Sequence, residues 1–422
     1  MSDVPLPLSA LAWLMSPTSC TNSCFDITHT WTPSCFMGSW DVFLSVMITS
    51  ITRIYPPIYL IGALLRKESM DYFKFRFFRD ILQSSLAIAV NGSGVLAGVC
   101  VFRKLFGRFY YLSMIFLPGL IASFLGISVE RRERQGVLCL YMCNQAADMI
   151  YQKLKAMGYI SPVWCGEVWL FSITTAIMMY LYRSRTGMKK GVLRSLIGYF
   201  IGSSNPEEIL AKKTEKPWLF FNRSEYKMSL SCIKQSLKAF ITGYILQVLP
   251  SIPKLIKRPG LLLKVLWNSE NFNCGLFLGS YVAIYKSVEY ALTYLRKTHD
   301  EYNAAIAGCL SGLSMFFYRS STVATYLAFK VIETAYKHGK AQGLLPSLPH
   351  ATVLLYSVST AMVFHGLTFE AQHVRRSYWK YLNTITGDRF CEINRYRLGE
   401  VFGTDSVKLF PAENIRMSLN SS

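Results

Sequence analysis

Before Arg53 the chain has neither lysine nor arginine, and that gap argues against two kinds of leader. A secretory signal needs a basic flank and a mitochondrial presequence is Arg-rich, so the short apolar run "PLSALAWLM" is expected to be neither. The C-terminal "SLNSS" is no peroxisomal or ER-retention address, so targeting is expected from an internal span with its basic flank. Enzyme signatures are missing as well: there is no G-x-S-x-G elbow, no H-E-x-x-H, no P-loop and no Rossmann glycine pattern. The glycines of "NGSGVLAG" lie inside an uncharged span and suit helix packing, while His350, His365 and His373 are spread about one span and its edge. No catalytic residue is assigned, and the chain is expected not to be an enzyme. Acid is the third scarcity: 25 Asp+Glu stand against 45 Lys+Arg, for a net charge of +20.

A basic chain is a candidate for nucleic-acid binding, but this one is 51% hydrophobic with a mean hydropathy of +0.26 and has no DNA- or RNA-reading motif. Its cations cluster instead at the ends of apolar runs, at Arg66/Lys67, Arg103/Lys104/Arg108, Arg131/Arg132/Arg134 and Arg375/Arg376. The partner they imply is a lipid bilayer. Residues 81–102 and 110–129 are uncharged until their flanks, and each is long enough to cross about 30 Å of hydrocarbon as a helix. The eleven cysteines include Cys100, Cys139, Cys143, Cys274 and Cys309 inside apolar runs, where a free thiol behaves as a small hydrophobe and suits a reducing, cytosol-facing setting.

The expected fold is all-α, a polytopic membrane helical bundle of about ten apolar helices in two sequence-related halves. Candidate spans lie near 41–65, 81–103, 110–129, 137–156 and 166–183, then near 235–253, 272–295, 303–318, 322–338 and 351–370. The expected division is a Cys/His-containing segment at 1–40, a first membrane half at 41–183, a basic polar linker at 184–232, a second half at 233–370 and a polar tail at 371–422. Sliding the chain by 185 residues sets "FSITTAIM" on "YSVSTAMV", Tyr141 on Tyr326, Asp148 on Glu333, Lys155 on Lys340 and Gly158 on Gly343. The same offset sets Arg134 on Arg319 and Tyr59 on Tyr244, which points to duplication. Five spans per half would invert one copy relative to the other, the plan of many transporters. Gly94/Gly98, Gly275/Gly279 and Gly308/Gly312 are each four apart, which favours close helix packing.

Two constellations carry chemistry. On the helix "YLAFKVIETAYKHGKAQG" the residues Tyr326, Lys330, Glu333, Lys337 and Lys340 fall on one stripe, and Tyr141, Gln145, Asp148, Gln152 and Lys155 form its counterpart. A lysine at mid-depth needs a partner or water, so the stripes read as the lining of a polar path, as a structural ion pair, or as the wet face of an interfacial helix. Lys330, Glu333, Asp148, Gln145, Lys286, Arg134 and Arg319 are the candidates for such a path; Lys286 could equally snorkel. The second constellation is "CTNSCFDITHTWTPSC", whose Cys20, Cys24, His29 and Cys35 are soft ligands of the kind that close a zinc site, although the tight C-x2-C knuckle is absent. The alternative is a reduced, metal-free cap, and no other cofactor is expected.

Several strings, in this order along almost the whole chain, resemble the transmembrane protein 135 family: "CFDITHTWTPSC", "YPPIYLIGALLRK", "GEVWLFSITTAIMMY", "ENFNCGLFLGSYVAIYK", "AAIAGCLSGLSMFFYRSSTVATYLAFKVIETAY", "LPHATVLLYSVSTA", "SYWKYL" and "VFGT". Residues 272–338 also resemble the inner-membrane translocase and peroxisomal membrane protein family through their small-residue helices. The resemblance implies a multi-span protein of the peroxisomal and/or mitochondrial membrane, linked to peroxisomal lipid metabolism, cholesterol handling and mitochondrial fission/fusion balance. It also implies a Cys-rich N-terminal module, which maps onto Cys24, His29 and Cys35, and it carries no catalytic residues. Expected partners are a lipid or small-metabolite substrate, or fission-machinery proteins if the helices only anchor an adaptor; a protein-translocating pore is the remaining reading. The chain departs from the family in its middle, where the polar linker is shorter and poorer in Cys and His.

Overall fold

The computed structural model describes residues 19–66, 69–161, 163–184, 192–202, 221–249, 267–298, 300–346 and 348–404. The segment "PLSALAWLM", most of the polar linker between 203 and 220, and the tail beyond 404 lie outside the described residues. Helices dominate the described residues, as the long runs of Leu, Ile, Ala and Phe predict. The residues divide into two compact units, one of Met1–Ser161 with Leu348–Ser422 and the other of Pro162–Ser347.

The first unit starts with a two-residue strand, β1 (Ser19–Cys20), and a short helix, α1 (Cys24–Ile27), which Ser23 and Asp26 close with a capping box. Next come α2 (Cys35–Thr49), which runs through a π-helical turn into α3 (Tyr55–Arg66), and α4 (Phe77–Phe106). The left-handed Gly107 ends α4, its amide donating to the Arg103 carbonyl at 3.0 Å. Strand β2 (Phe109–Tyr110) pairs antiparallel with β1, and α5 (Tyr111–Met114), α6 (Phe116–Val129) and α7 (Arg132–Ala156) follow. Later in the chain α14 (Ala351–Phe369), α15 (Arg376–Thr386) and α16 (Arg395–Phe402) complete the unit. Ile27, Phe109, Met114, Phe369, Leu398 and Phe402 form a core that fastens the N-terminal segment to the end of the bundle. The Asn394 amide donates to the Ile27 carbonyl at 2.9 Å across the same junction.

The second unit holds α8 (Gly166–Arg183), α9 (Val192–Ile201), α10 (Phe221–Val248), α11 (Ser269–Arg296), α12 (Glu301–Ser311) and α13 (Ser321–Ala341). Its core includes Phe171, Met179, Phe277, Tyr285 and Met315. At Gly312 the helix α12 tightens into a 3-10 turn that runs to Phe316.

Among the described residues four stretches are long and apolar enough to cross a membrane: Cys35–Ala63, Tyr72–Phe106, Tyr111–Val129 and Ala351–Phe369. All four belong to the first unit. The other six stretches expected as spans are not among them; α7 and α13, for example, carry Asp148 with Lys153 and Lys155, and Lys330 with Glu333, Lys337 and Lys340. The three glycine pairs do mark close approaches between helices. A Cβ on Gly98 would lie 2.9 Å from that of Pro118 on α6, and one on Gly308 would lie 2.7 Å from the Thr175 carbonyl on α8.

Candidate metal centre

Three short structures bring the N-terminal cysteines to the end of α4. The β1–β2 pairing, Ser19 opposite Tyr110 and Cys20 opposite Phe109, lays the segment alongside the turn that follows α4. Arg103, in the last turn of α4, then donates from Nε to the Asn22 carbonyl at 3.0 Å and from a terminal nitrogen to the Thr21 carbonyl at 2.7 Å. Ser34 caps α2 so that Cys35 opens the helix, and Gly38 allows the His29 ring to approach, since a Cβ there would sit 3.2 Å from that of His29.

These contacts gather Cys24, His29, Cys35 and Cys100 into a cluster whose ligand atoms all lie within 4.8 Å of one another. A tetrahedral zinc site with Zn–S of about 2.3 Å spaces its sulfurs by about 3.8 Å, so the cluster would need to contract by only about 1 Å. The imidazole is oriented as a metal ligand would be. Its Nδ1 lies 2.7 Å from the Thr32 carbonyl, which keeps a proton there and leaves Nε2 to face the cysteine sulfurs. Cys24 is held down to about 5, mainly because the Cys100 thiol donates to it, and His29 is held up to about 9 by the Cys24 sulfur beside it. The cluster therefore stabilises a thiolate, the form that binds a soft cation. Three sulfurs and one imidazole without a vacant protein position are the donor set of a structural zinc ion. His29 is buried, Cys24 and Cys100 are half-buried and Cys35 is exposed.

Cys20 is not part of the cluster. It is 1% exposed in the core beside Ile27 and Phe109, and its thiol lies 3.4 Å from the Asn22 carboxamide oxygen. Cys100, expected as a small hydrophobe of the span, takes the fourth position instead. The available signal was its place one turn before Arg103 and Lys104, at the end of the apolar run.

The charged stripes lie in different units. On α13 the Lys330 ammonium is 2.6 Å from Glu333, whose other oxygen takes Lys337. On α7 Asp148 receives the Arg375 guanidinium at 2.7 Å, with both side chains largely buried, and Gln145 is buried with its carbonyl oxygen unpartnered. Lys286 is half-buried on α11, and the Arg319 guanidinium stacks over the Phe316 ring at 5.4 Å. Arg134 belongs to a buried network that the spacing did not foretell. It donates to Tyr59 at 2.6 Å and to Ser84 at 2.5 Å, Ser84 donates to Glu130 at 2.9 Å, and neighbouring Arg131 pairs with Asp80 at 2.7 Å.

Residues 21–155 match the family model for the N-terminal cysteine-rich region of Transmembrane protein 135. The match spans about a third of the chain and makes that part similar to the transmembrane protein 135 family. All four cluster residues fall inside the matched region, whereas Cys20 lies just outside it. No solved structure matches the chain. That match and the four apolar helices of spanning length among the described residues are the features of a membrane protein.

Proposed function

We propose that the chain is a non-enzymatic organelle-membrane protein, built from two sequence-related halves, whose N-terminal module is stapled to the membrane bundle by a structural zinc ion. The observation that carries this reading is the convergence of Cys24, His29 and Cys35 on Cys100, because a zinc ion there joins a segment of little regular structure to a membrane-spanning helix. Bound zinc would supply cross-linking energy, and the protein's own residues place and orient the ligands: Thr32 sets the imidazole tautomer, Ser34 positions Cys35 and Arg103 holds the strand approach. The similarity of residues 21–155 to the transmembrane protein 135 family supports a role in peroxisomal lipid metabolism and mitochondrial fission/fusion balance, at the peroxisomal and/or mitochondrial membrane. The closed ion pairs Lys330–Glu333–Lys337 and Asp148–Arg375 support an anchoring scaffold that recruits partners. A second reading, a transporter-like polar path, is favoured by the buried, unpartnered carbonyl oxygen of Gln145.

Metal analysis of the purified protein tests the central part. Wild type should carry about one zinc per chain and Cys100→Ser much less; a metal-free wild type would refute the staple. Flux into proteoliposomes separates the two roles: the polar path predicts transport that a Lys330→Leu/Glu333→Leu pair abolishes, and the scaffold predicts none in either protein.

A further inference from the structure

Backbone detail repeats along this chain at one spacing. Gly158 and Gly343 are both left-handed, at φ 78° and 76°, and so are the non-glycine residues Cys165 and His350, at 53° and 57°. Each pair is 185 residues apart, and a left-handed non-glycine residue is uncommon enough that the coincidence carries weight. The hydrogen bonds agree: Tyr159 to Leu154 is repeated by Leu344 to Gly339, and Val168 to Cys165 by Val353 to His350. Helix limits follow the same offset, from Phe116 to Glu301 at the starts of α6 and α12, from Ala156 to Ala341 at the ends of α7 and α13, and from Gly166 to Ala351 at the starts of α8 and α14. By this equivalence α8 and α14 are the fifth helices of the first and second repeats.

Among the described residues, each fifth helix packs mainly against helices of the other repeat. α14 lies against α6 and α7 of the first repeat, and α8 lies against α12 and α13 of the second. The contacts are intimate: Gly119 on α6 faces Ala361 on α14, with Cβ positions 3.6 Å apart, and Gly308 on α12 faces Thr175 and Met179 on α8. The unit boundaries agree, because Pro162 and Ser347, which bound the second unit, are themselves 185 residues apart. We infer that the chain is two copies of one five-helix repeat that have exchanged their fifth helices. The inference rests on the two-halves part of the proposed function and is independent of the metal.

Two consequences follow. The connections that pass from one unit to the other are 157–165 and 342–350, whereas the polar segment 184–232 joins helices within the second unit. A single repeat lacks its closing helix, and only a second copy of the repeat could supply it.

The test uses the full chain with a protease site inserted between residues 203 and 220, reconstituted in detergent or bilayer. Cleavage separates the two repeats covalently, but exchange leaves each unit built from both fragments, so the cleaved halves should co-purify. The same chain then carries one of three cysteine pairs. Gly119→Cys with Ala361→Cys lies within the Cβ range of a disulfide, and it should yield a reducible link between fragments, confirmed by the mass of the joined peptides and absent from wild type. Gly119→Cys with Ala176→Cys, and Ala304→Cys with Ala361→Cys, are the equivalent pairs of an unexchanged arrangement and should stay unlinked. Links in these two instead would retain the duplication and overturn the exchange. Fragments that separate, with no pair linked, would overturn both the exchange and the two-halves reading.

Discussion

Replacing Cys100 by serine removes one soft ligand from the cluster and leaves its position in α4 otherwise nearly isosteric. Zinc content should fall several-fold, and the melting temperature of the variant should become insensitive to chelator. Cys20→Ala makes the contrasting prediction, with zinc unchanged and stability lower by about 1 kcal/mol from the lost buried sulfur, read by metal analysis beside thermal unfolding. The three ligands between Cys24 and Cys35 were legible because they sit within a dozen residues and include a histidine. Cys100 was not, because its meeting with Cys24 depends on the β1–β2 pairing and on Arg103 reaching two carbonyls, neither of which leaves a period or spacing in the sequence.

Between helices, burial decides which polar contacts matter. Asp148→Asn removes the carboxylate that holds Arg375 across α7 and α15 where both side chains are about nine-tenths buried, so it should destabilise by about 2–3 kcal/mol. Glu333→Gln breaks a more exposed pair within one helix and should cost under about 1 kcal/mol. Denaturant unfolding of the two variants checks the ranking, and equal effects would contradict it. Gly308→Ala drives a methyl group towards the Thr175 carbonyl and should cost about 1–3 kcal/mol by overpacking. Gly136→Ala on α7 meets nothing within 4 Å and should be neutral or stabilising. Helix periodicity revealed both stripes and the glycine pairs, since residues four apart share a face whatever they touch. It could not reveal that Asp148 reaches Arg375, or that Arg134 joins Tyr59, Ser84 and Glu130, because those partners are set by tertiary packing.

Across the whole molecule, composition was enough to indicate helices, membrane and basic flanks, and the 185-residue offset was visible in the matched Asp/Glu, Lys and Gly positions. Which helix closes which unit was not visible, because the 185-residue match between α8 and α14 marks them as equivalent without saying which groove each fills. The polar segment 184–232 looks like a boundary for the same reason: polarity marks where a chain leaves the bilayer and says nothing about which bundle it rejoins. The proposed zinc ion belongs to this scale too, since it would tie the N-terminal segment to an apolar helix of spanning length and so should raise the stability of the first unit as a whole. X-ray absorption at the zinc edge on the purified full-length protein tests that claim most directly. A structural zinc staple requires a bound zinc ion with three sulfur ligands at about 2.3 Å and one nitrogen at about 2.0 Å, the sulfur count falling in Cys100→Ser. An oxygen-rich shell, or a zinc signal that Cys100→Ser leaves unchanged, would contradict it.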